Sequence, residues 1–185
     1  MTEISDQRDL PRALERFVLH WGDMGGQWGV NRSVSQIHAL LYLSERPLTA
    51  EEIADTLGMA RSNVSNSIKE LLAWNLVRRV PVMGDRRDQF EAETDVWEIA
   101  RRIAAGRKER EIDPAVAALK ACVAEAERDT KVGTVARERL AKMLEFTEGM
   151  AGWYDQMQAI PKSKLAALFR LGTRILNLLP SKRTT

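Results

Sequence analysis

The sequence predicts a mainly α-helical protein that carries one small β-hairpin. Apolar residues recur at helical spacing through most of the 185 residues, whereas strand-like alternation is confined to residues 76–93. The apolar fraction of 44% is close to the globular average, so the chain can form a hydrophobic core. The length suits one ordinary domain, or a small domain with a helical extension.

The first helix is predicted over residues 10–27, and its second half is rich in glycine. Gly22 and Gly26 are four residues apart and therefore stack on one side of the helix. A phosphate-binding loop would need a Gly-Lys-Ser/Thr ending after a strand, and neither is present. We therefore expect this helix to pack closely against another backbone.

The next two helices each begin at a capping-box pattern. Residues 33–36 (SVSQ) predict a helix whose first amides are capped by Ser33 and which stops before Pro47. Residues 49–52 (TAEE) predict a short helix that ends at Gly58, where a left-handed turn residue is expected.

A third helix follows this glycine turn directly. Its start is open, because Ala60 is a poor cap and Ser62 would move the start by two residues. The buried stripe is predicted to contain Val64, Ile68, Leu71 and Leu72. The remaining side is rich in hydroxyl and amide groups, with one cation: Ser62, Asn63, Ser65, Asn66 and Lys69.

These side chains are suited to nucleic-acid bases more than to helix stability. Asparagine can bond adenine through two groups at once, serine can bond bases or phosphates, and lysine can reach guanine or phosphate. A solvated helix face with no partner would more often carry Glu and Lys, which are better helix formers.

Residues 76–83 and 89–93 predict the two strands of a hairpin, with Gly84-Asp85 at the turn and Pro81 restricting the first strand to a sheet edge. Between Arg61 and Asp88 there are six basic and three acidic residues, an excess of three. The whole chain, with 28 basic and 26 acidic residues, has a net charge of only +2. Positive charge is therefore concentrated near the third helix and the hairpin, where phosphate contacts would be made.

Helix, turn, helix and basic hairpin in this order predict a winged helix-turn-helix. The stretches WGVNRSVSQIHALLYLS, LTAEEIADTLGMARSNVSNSIKELLAWNLVRRV and GDRRDQFEAE resemble the MarR superfamily of winged-helix regulators, and its GbsR-type branch in particular. The resemblance implies that residues 60–74 enter the major groove and that the hairpin reaches a neighbouring minor groove. It also implies that Asp85 braces Arg87 and leaves Arg86 free for DNA. The predicted DNA-binding residues are Arg61, Ser62, Asn63, Ser65, Asn66, Lys69, Arg86 and Arg87.

Further helices are predicted over 95–108, from Asp113-Pro114, over 134–158 and over 161–179. In the helix over 134–158, one seam repeats at spacings of four and three, which favours an antiparallel hairpin or pairing with another subunit. The last helix is amphipathic and basic, and we expect docking onto a partner rather than onto a membrane. The seam residues are Ala136, Leu140, Met143, Thr147, Met150, Tyr154 and Met157.

No arrangement of residues typical of an enzyme, a metal site or a cofactor site is found, so we expect no catalysis, no metal and no cofactor. His20 and His38 lack ligand companions at metal-binding spacing. The single cysteine, Cys122, fits a reducing compartment and leaves a thiol sensor as a minor alternative. With no signal peptide or membrane-spanning run, a cytoplasmic protein is expected.

The sequence thus predicts a winged helix-turn-helix domain over residues 10–95 and a helical dimerisation region, with a possible effector site, over 96–180. Residues 1–9 and 181–185 are expected to be flexible termini. The predicted function is that of a homodimeric transcriptional regulator that binds double-stranded DNA. Repression is favoured over activation, and a small-molecule effector is expected to control DNA binding. The alternative is a winged-helix adaptor that binds protein and not DNA.

Overall fold

The computed structural model describes residues 10–165, 167 and 171, and the chain divides into two compact units between Arg102 and Ile103. The elements are, in order, α1 (Arg12–Gln27), α2 (Arg32–Leu43), β1 (Leu48–Thr49), α3 (Ala50–Leu57), α4 (Arg61–Ala73), β2 (Val77–Val80), β3 (Gln89–Ala92), α5 (Val96–Arg107), a π-helical turn (Lys108–Ile112), α6 (Asp113–Arg128) and α7 (Thr134–Ala159). The architecture is mainly helical with one small sheet, which confirms the predicted fold class.

In the first unit, α1 packs closely against α2 because it has glycines at the contact. A Cβ atom on Gly25 would lie 1.9 Å from Ser35 Oγ, and one on Gly22 would lie 2.5 Å from Gln36 Cγ. Only residues without a side chain allow this approach. Gly26 faces open space, so it does not share this role.

Helix α2 is capped differently from the prediction. Asn31 is the N-cap residue, and its side-chain oxygen accepts a hydrogen bond from the Ser33 amide at 2.8 Å. Ser33 itself lies inside the helix, and Gln36 is buried. The predicted capping box at residues 33–36 is therefore wrong, since Gln36 packs against α1 instead of reaching back to the helix start.

The predicted capping box of α3 is confirmed. The Glu52 amide donates to Thr49 Oγ1 at 3.2 Å, and the Thr49 amide donates to Glu52 Oε2 at 2.7 Å. Arg46 also donates to Glu52. Partial burial raises the pKa of Glu52, but the bonds from Arg46 and Thr49 outweigh it and lower this pKa to about 2. The helix ends at Gly58 with φ of 62°, as expected.

The sheet has three antiparallel strands in the order β1-β3-β2. The hairpin strands β2 and β3 were predicted, and Gly84 between them has a left-handed φ of 86°. Strand β1 was not predicted, because it is only two residues long and pairs Leu48 with Phe90 and Thr49 with Gln89, far along the chain. As a result, the hairpin is attached to the start of α3.

The core of the first unit lies between α2, α3, α4 and the sheet. Ile37 and Ile53 are 0% exposed, and Leu71 is 1% exposed. His38, which follows Ile37 on α2, is also buried, and its Nε2 atom has no hydrogen-bond partner among the described residues. Burial disfavours the charged imidazolium and lowers the pKa of His38 to about 4.

In the second unit, α6 begins at Asp113 as predicted, but Asp113 does not act as its N-cap residue. The backbone is already helical at Ile112, and Asp113 accepts from Lys108 Nζ at 2.9 Å. Pro114 has no amide hydrogen and would clash with the preceding turn of a regular α-helix. The wider π-helical turn at Lys108–Ile112 leaves room for the proline.

Helices α6 and α7 pack antiparallel, as their ion pairs show. Lys120 Nζ lies 2.9 Å from Glu148, and Lys108 Nζ lies 3.2 Å from Asp155 near the other end. The carboxylates of Asp113 and Asp155, which both bond the Lys108 ammonium group, raise the pKa of Lys108. Of the two arrangements left open by the seam, an antiparallel hairpin within the chain is therefore present.

Two heptad stripes run along α7. Leu140, Leu144, Thr147, Ala151 and Tyr154 are half-buried, whereas several large apolar side chains on a second stripe are exposed. Met143 is 55% exposed, Phe146 65% and Trp153 55%. Among the described residues, only part of the predicted seam is therefore covered.

The helix predicted over 161–179 lies largely outside the described residues. Of the residues described in this stretch, 162–165, 167 and 171 are helical. Among the described helices, none is both long and apolar enough to cross a membrane.

Candidate nucleic-acid interface

Helix α4 is the element predicted to read DNA, and it begins at Arg61. Its N-cap residue is Ala60, which makes no side-chain capping bond. Of the two predicted starts, the chain therefore adopts the earlier one, and Ser62 lies within the first turn. The helix is held by its buried side, where Val64, Ile68 and Leu71 join the core.

The opposite side of α4 is exposed and polar. Ser62 begins a stripe that continues through Ser65, Asn66 and Lys69, all of them exposed. Among the described residues, none of these four side chains forms a hydrogen bond or an ion pair within the protein. Their donors and acceptors are available to an external partner, and amide, hydroxyl and ammonium groups are the kinds of group that bond base edges in the major groove.

Asn63 lies to one side of this stripe and bonds within the protein. Its Nδ2 atom donates to Ser33 Oγ at 2.9 Å, and its Oδ1 atom accepts from the Ser67 hydroxyl at 3.5 Å. The bond to Ser33 joins α4 to the start of α2. Asn63 and Asn66 thus differ in the structure, although no sequence pattern distinguishes them.

The tip of the hairpin holds Arg87 by several bonds. Arg87 Nε donates to Asp85 Oδ1 at 3.0 Å, and Arg87 Nη2 donates to Asp85 Oδ2 at 2.7 Å. Gln89 Nε2 also donates to Asp85, at 3.2 Å. The hydrogen bonds from Arg87 hold the pKa of Asp85 well below its usual range, and Asp85 raises the pKa of Arg87.

Most of the basic side chains near α4 already face a carboxylate. Arg61 pairs with Glu51, Arg78 pairs with Glu91 across the hairpin, and Arg79 lies 3.7 Å from Asp88. Within the described part of the chain, Lys69 and Arg86 have no carboxylate at ion-pair distance. The count of basic residues in the sequence therefore overstates the free positive charge of this surface.

Sequence reasoning missed the group of bonds at the C-terminal end of α4. Asn75 has a left-handed φ of 56°, and its carbonyl accepts a hydrogen bond from Arg102 on α5. Arg102 also lies 3.0 Å from Glu93 and 3.0 Å from Glu98. Asparagine tolerates this backbone conformation better than most residues, which was the available signal. These bonds connect the end of α4, the end of the hairpin and α5.

A cleft of about 440 Å³ opens beside this group. It is lined by the end of α2, the base of the hairpin and the first turns of α5, and Arg46, Arg78, Glu91 and Arg102 contribute to its wall. Among the described residues there is no cluster of three or more side chains that would bind a metal.

Comparison with known proteins shows what the domain around this surface is similar to. Residues 28–88 match the model of the MarR family. YvaV of Bacillus subtilis (strain 168), an HTH-type transcriptional regulator by its name, is 24% identical over 89 residues, which are 48% of this chain and 50% of YvaV. This chain therefore spans about half the length of that relative.

Two proteins of the same organism are named as HTH-type transcriptional repressors. OpcR is 24% identical over 71 residues, which cover 38% of each chain. GbsR is 22% identical over 139 residues, 74% of this chain and 77% of GbsR. The predicted resemblance to MarR proteins is confirmed, and the GbsR match favours the predicted branch.

A crystal structure described as a transcriptional regulator superimposes with a TM-score of 0.53 at 22% identity. The match covers 78% of this chain and 99% of the other. This likeness shows a shared fold.

Proposed function

We propose that this chain, whose residues 28–88 match the model of the MarR family, is a sequence-specific DNA-binding regulator of transcription. The observation that carries the proposal is the exposed side of α4, where Ser62, Ser65, Asn66 and Lys69 present unengaged polar groups. Serine and asparagine are weak helix formers, so this face would stabilise the helix poorly, but its polar groups can bond the donors and acceptors of the major groove.

In the proposed complex, α4 lies in the major groove, and the hairpin contacts the backbone beside the next minor groove. Asn66 is the best candidate for a two-bond contact with adenine, because its amide is exposed. Asn63 would have to give up its bonds to Ser33 and Ser67 before it could contact a base. Arg86 and Lys69 supply phosphate contacts, and Asp85 holds Arg87 in the hairpin.

We further propose that the protein acts as a homodimer through its second unit. The exposed stripe of α7, with Met143, Phe146 and Trp153, is a large apolar surface for a helical pair to leave in water. A two-fold dimer would place two copies of α4 in successive major grooves, roughly 34–36 Å apart, on a near-palindromic site.

Repression is the proposed direction of regulation, because OpcR and GbsR are named as repressors. A small polar effector could act through the cleft of about 440 Å³, which joins the end of α4 to α5 through Asn75 and Arg102. A coupling of about 1–3 kcal/mol between this cleft and DNA would change occupancy roughly 5- to 150-fold.

The test is selection of bound fragments from a random or genomic DNA pool, followed by affinity measurements on the enriched sequence. Asn66→Ala is expected to reduce discrimination among sequences by about 1–3 kcal/mol, with a smaller effect for Asn63→Ala. Arg86→Ala should weaken binding to all sequences alike and flatten the salt dependence by about one unit. If Asn66→Ala leaves sequence preference intact, the proposed contact surface is wrong.

The alternative is a winged-helix adaptor that binds a protein partner. The pairing of Arg61, Arg78, Arg79 and Arg87 with carboxylates favours it, because these pairs reduce the attraction for phosphate. A wild-type protein that enriches no DNA sequence and binds no DNA at low salt would favour this alternative.

A further inference from the structure

Glu51 lies in the first turn of α3 but takes no part in capping that helix. The neighbouring Glu52 makes the capping box with Thr49 and bonds Arg46. A carboxylate in the first turn interacts favourably with the helix dipole, and this explains an acidic residue there. It does not explain the two arginines that Glu51 contacts.

Each oxygen of Glu51 lies near a different arginine. Arg61 Nη1 is 3.0 Å from Oε1, and Arg87 Nη1 is 3.5 Å from Oε2. Arg61 is the first residue of α4, and Arg87 lies near the hairpin tip. One carboxylate thus contacts a cation from each of the two elements that would face DNA.

We propose that Glu51 occupies the place of a DNA phosphate between Arg61 and Arg87 and thereby lowers the affinity of this surface for DNA. The inference rests on the proposed DNA-binding function. A phosphate that contacts either arginine has to displace a carboxylate oxygen and lie close to the remaining negative charge. Because phosphate contacts carry little sequence information, Glu51 makes binding depend more strongly on the bases that α4 contacts.

The opposite role, in which Glu51 helps DNA binding by positioning the hairpin, is less consistent with the geometry. Arg87 is already fixed by Asp85 through bonds of 2.7 Å and 3.0 Å, and the hairpin is paired to β1. The side chains of Glu51, Arg61 and Arg87 are 44%, 76% and 58% exposed, so solvent weakens their pairing as a structural bond. Removal of Glu51 should therefore change the charge of the surface more than its shape.

The experiment compares Glu51→Gln with Asp55→Asn in the full-length protein. Asp55 lies one turn further along α3, and no basic group among the described residues forms an ion pair with it. Affinities for a DNA sequence enriched by the wild-type protein, and for unrelated DNA, are measured over a range of salt concentrations. We expect Glu51→Gln to bind both DNAs about three- to thirtyfold more tightly, with a steeper salt dependence and the larger gain on unrelated DNA. Asp55→Asn should change affinity less than about twofold.

A second comparison separates this role from a general effect of charge. In an Arg61→Gln, Arg87→Gln background, the gain from Glu51→Gln should fall to that of Asp55→Asn, since the two arginines through which Glu51 acts are gone. An equal gain with and without the arginines would overturn the inference, as would weaker DNA binding by Glu51→Gln. If the wild-type protein binds no DNA, the proposed function fails, and the inference fails with it. If the wild-type protein binds DNA and Glu51→Gln binds equally well, only the inference fails.

Discussion

The two units of this protein bury their side chains in very different ways. In the first unit, helices and a sheet surround a core that includes Ile37, Ile53 and Leu71. In the second unit, Ala126 is the only described residue that is buried. Both units are rich in apolar residues, so composition does not cause the difference.

The cause is the number of layers in each unit. Short elements that cross one another can enclose a core, whereas two antiparallel helices cover only one side of each other. The α7 stripe that faces α6 is therefore half-buried, and the stripe with Phe146 and Trp153 is not covered by the described residues. The first unit is expected to be stable alone, and the second to depend on a partner.

The largest expected effect is on the core of the first unit. Ile37→Ala should lower the free energy of unfolding by about 2–5 kcal/mol, because it leaves a cavity at a site with no access to water. Urea unfolding at several protein concentrations would measure this loss, which should not depend on concentration if the first unit is stable alone.

Phe146→Ala is the matched change in the second unit. It should weaken self-association at least tenfold, by the order of 1.4 kcal/mol or more, and sedimentation would measure this. The comparison between the units breaks down if Phe146→Ala leaves association unchanged, or if Ile37→Ala unfolds in a concentration-dependent manner.

The pH dependence of the first unit should follow His38. Its folded pKa of about 4 is below its ordinary value of 6.5, so its contribution to stability is complete above pH 6.5 and is lost as pH falls towards 4. The loss should reach roughly 3 kcal/mol, at 1.36 kcal/mol per pKa unit. Unfolding of the wild-type protein and of His38→Gln between pH 4 and 7 would test this.

His20→Gln is the control for that experiment, because His20 is exposed on α1. The wild-type protein and His20→Gln should lose stability alike below pH 6.5, whereas His38→Gln should lose less. A common slope in all three proteins would show that another group controls the effect. Glu52, whose folded pKa is about 2, contributes its full stabilisation above its ordinary pKa of 4.5, and this contribution is lost only as pH falls from 4.5 towards 2.

The smallest expected effect is on the contact between α1 and α2. Gly25→Ala should cost about 1–3 kcal/mol, because its Cβ would overlap the side chain of Ser35 and force the helices apart. Gly26→Ala meets open space and should instead stabilise the helix by up to about 1 kcal/mol. Thermal unfolding of the two variants would measure the difference in their stability, and equal melting temperatures would exclude close packing at Gly25.

The elements of the first unit were predictable where their determinants are local. The α3 capping box lies within four residues, and both of its bonds form between Thr49 and Glu52. The α2 box has the same spacing, but its Gln36 is drawn into the contact with Gly22. This contact is tertiary, so the local pattern of residues 33–36 could not include it.

The candidate interface shows the same limit. The polar side of α4 follows from helical spacing and was predictable from Ser62 to Lys69. The bond between Asn63 and Ser33 joins residues 30 positions apart, and the contact between Glu51 and Arg87 joins residues 36 positions apart. Both depend on how the elements pack, so the sequence alone did not separate Asn63 from Asn66 or identify Glu51.

Thr49 places a practical limit on exchanging parts between related proteins. It caps α3 through its side chain and pairs with Gln89 of β3 through its backbone. If the hairpin is taken from another protein, its β3 strand has to pair with β1 of the recipient, which directly precedes the recipient's α3. Chimeras should therefore be joined before Leu48 and after Ala92, so that both functions of Thr49 come from one parent.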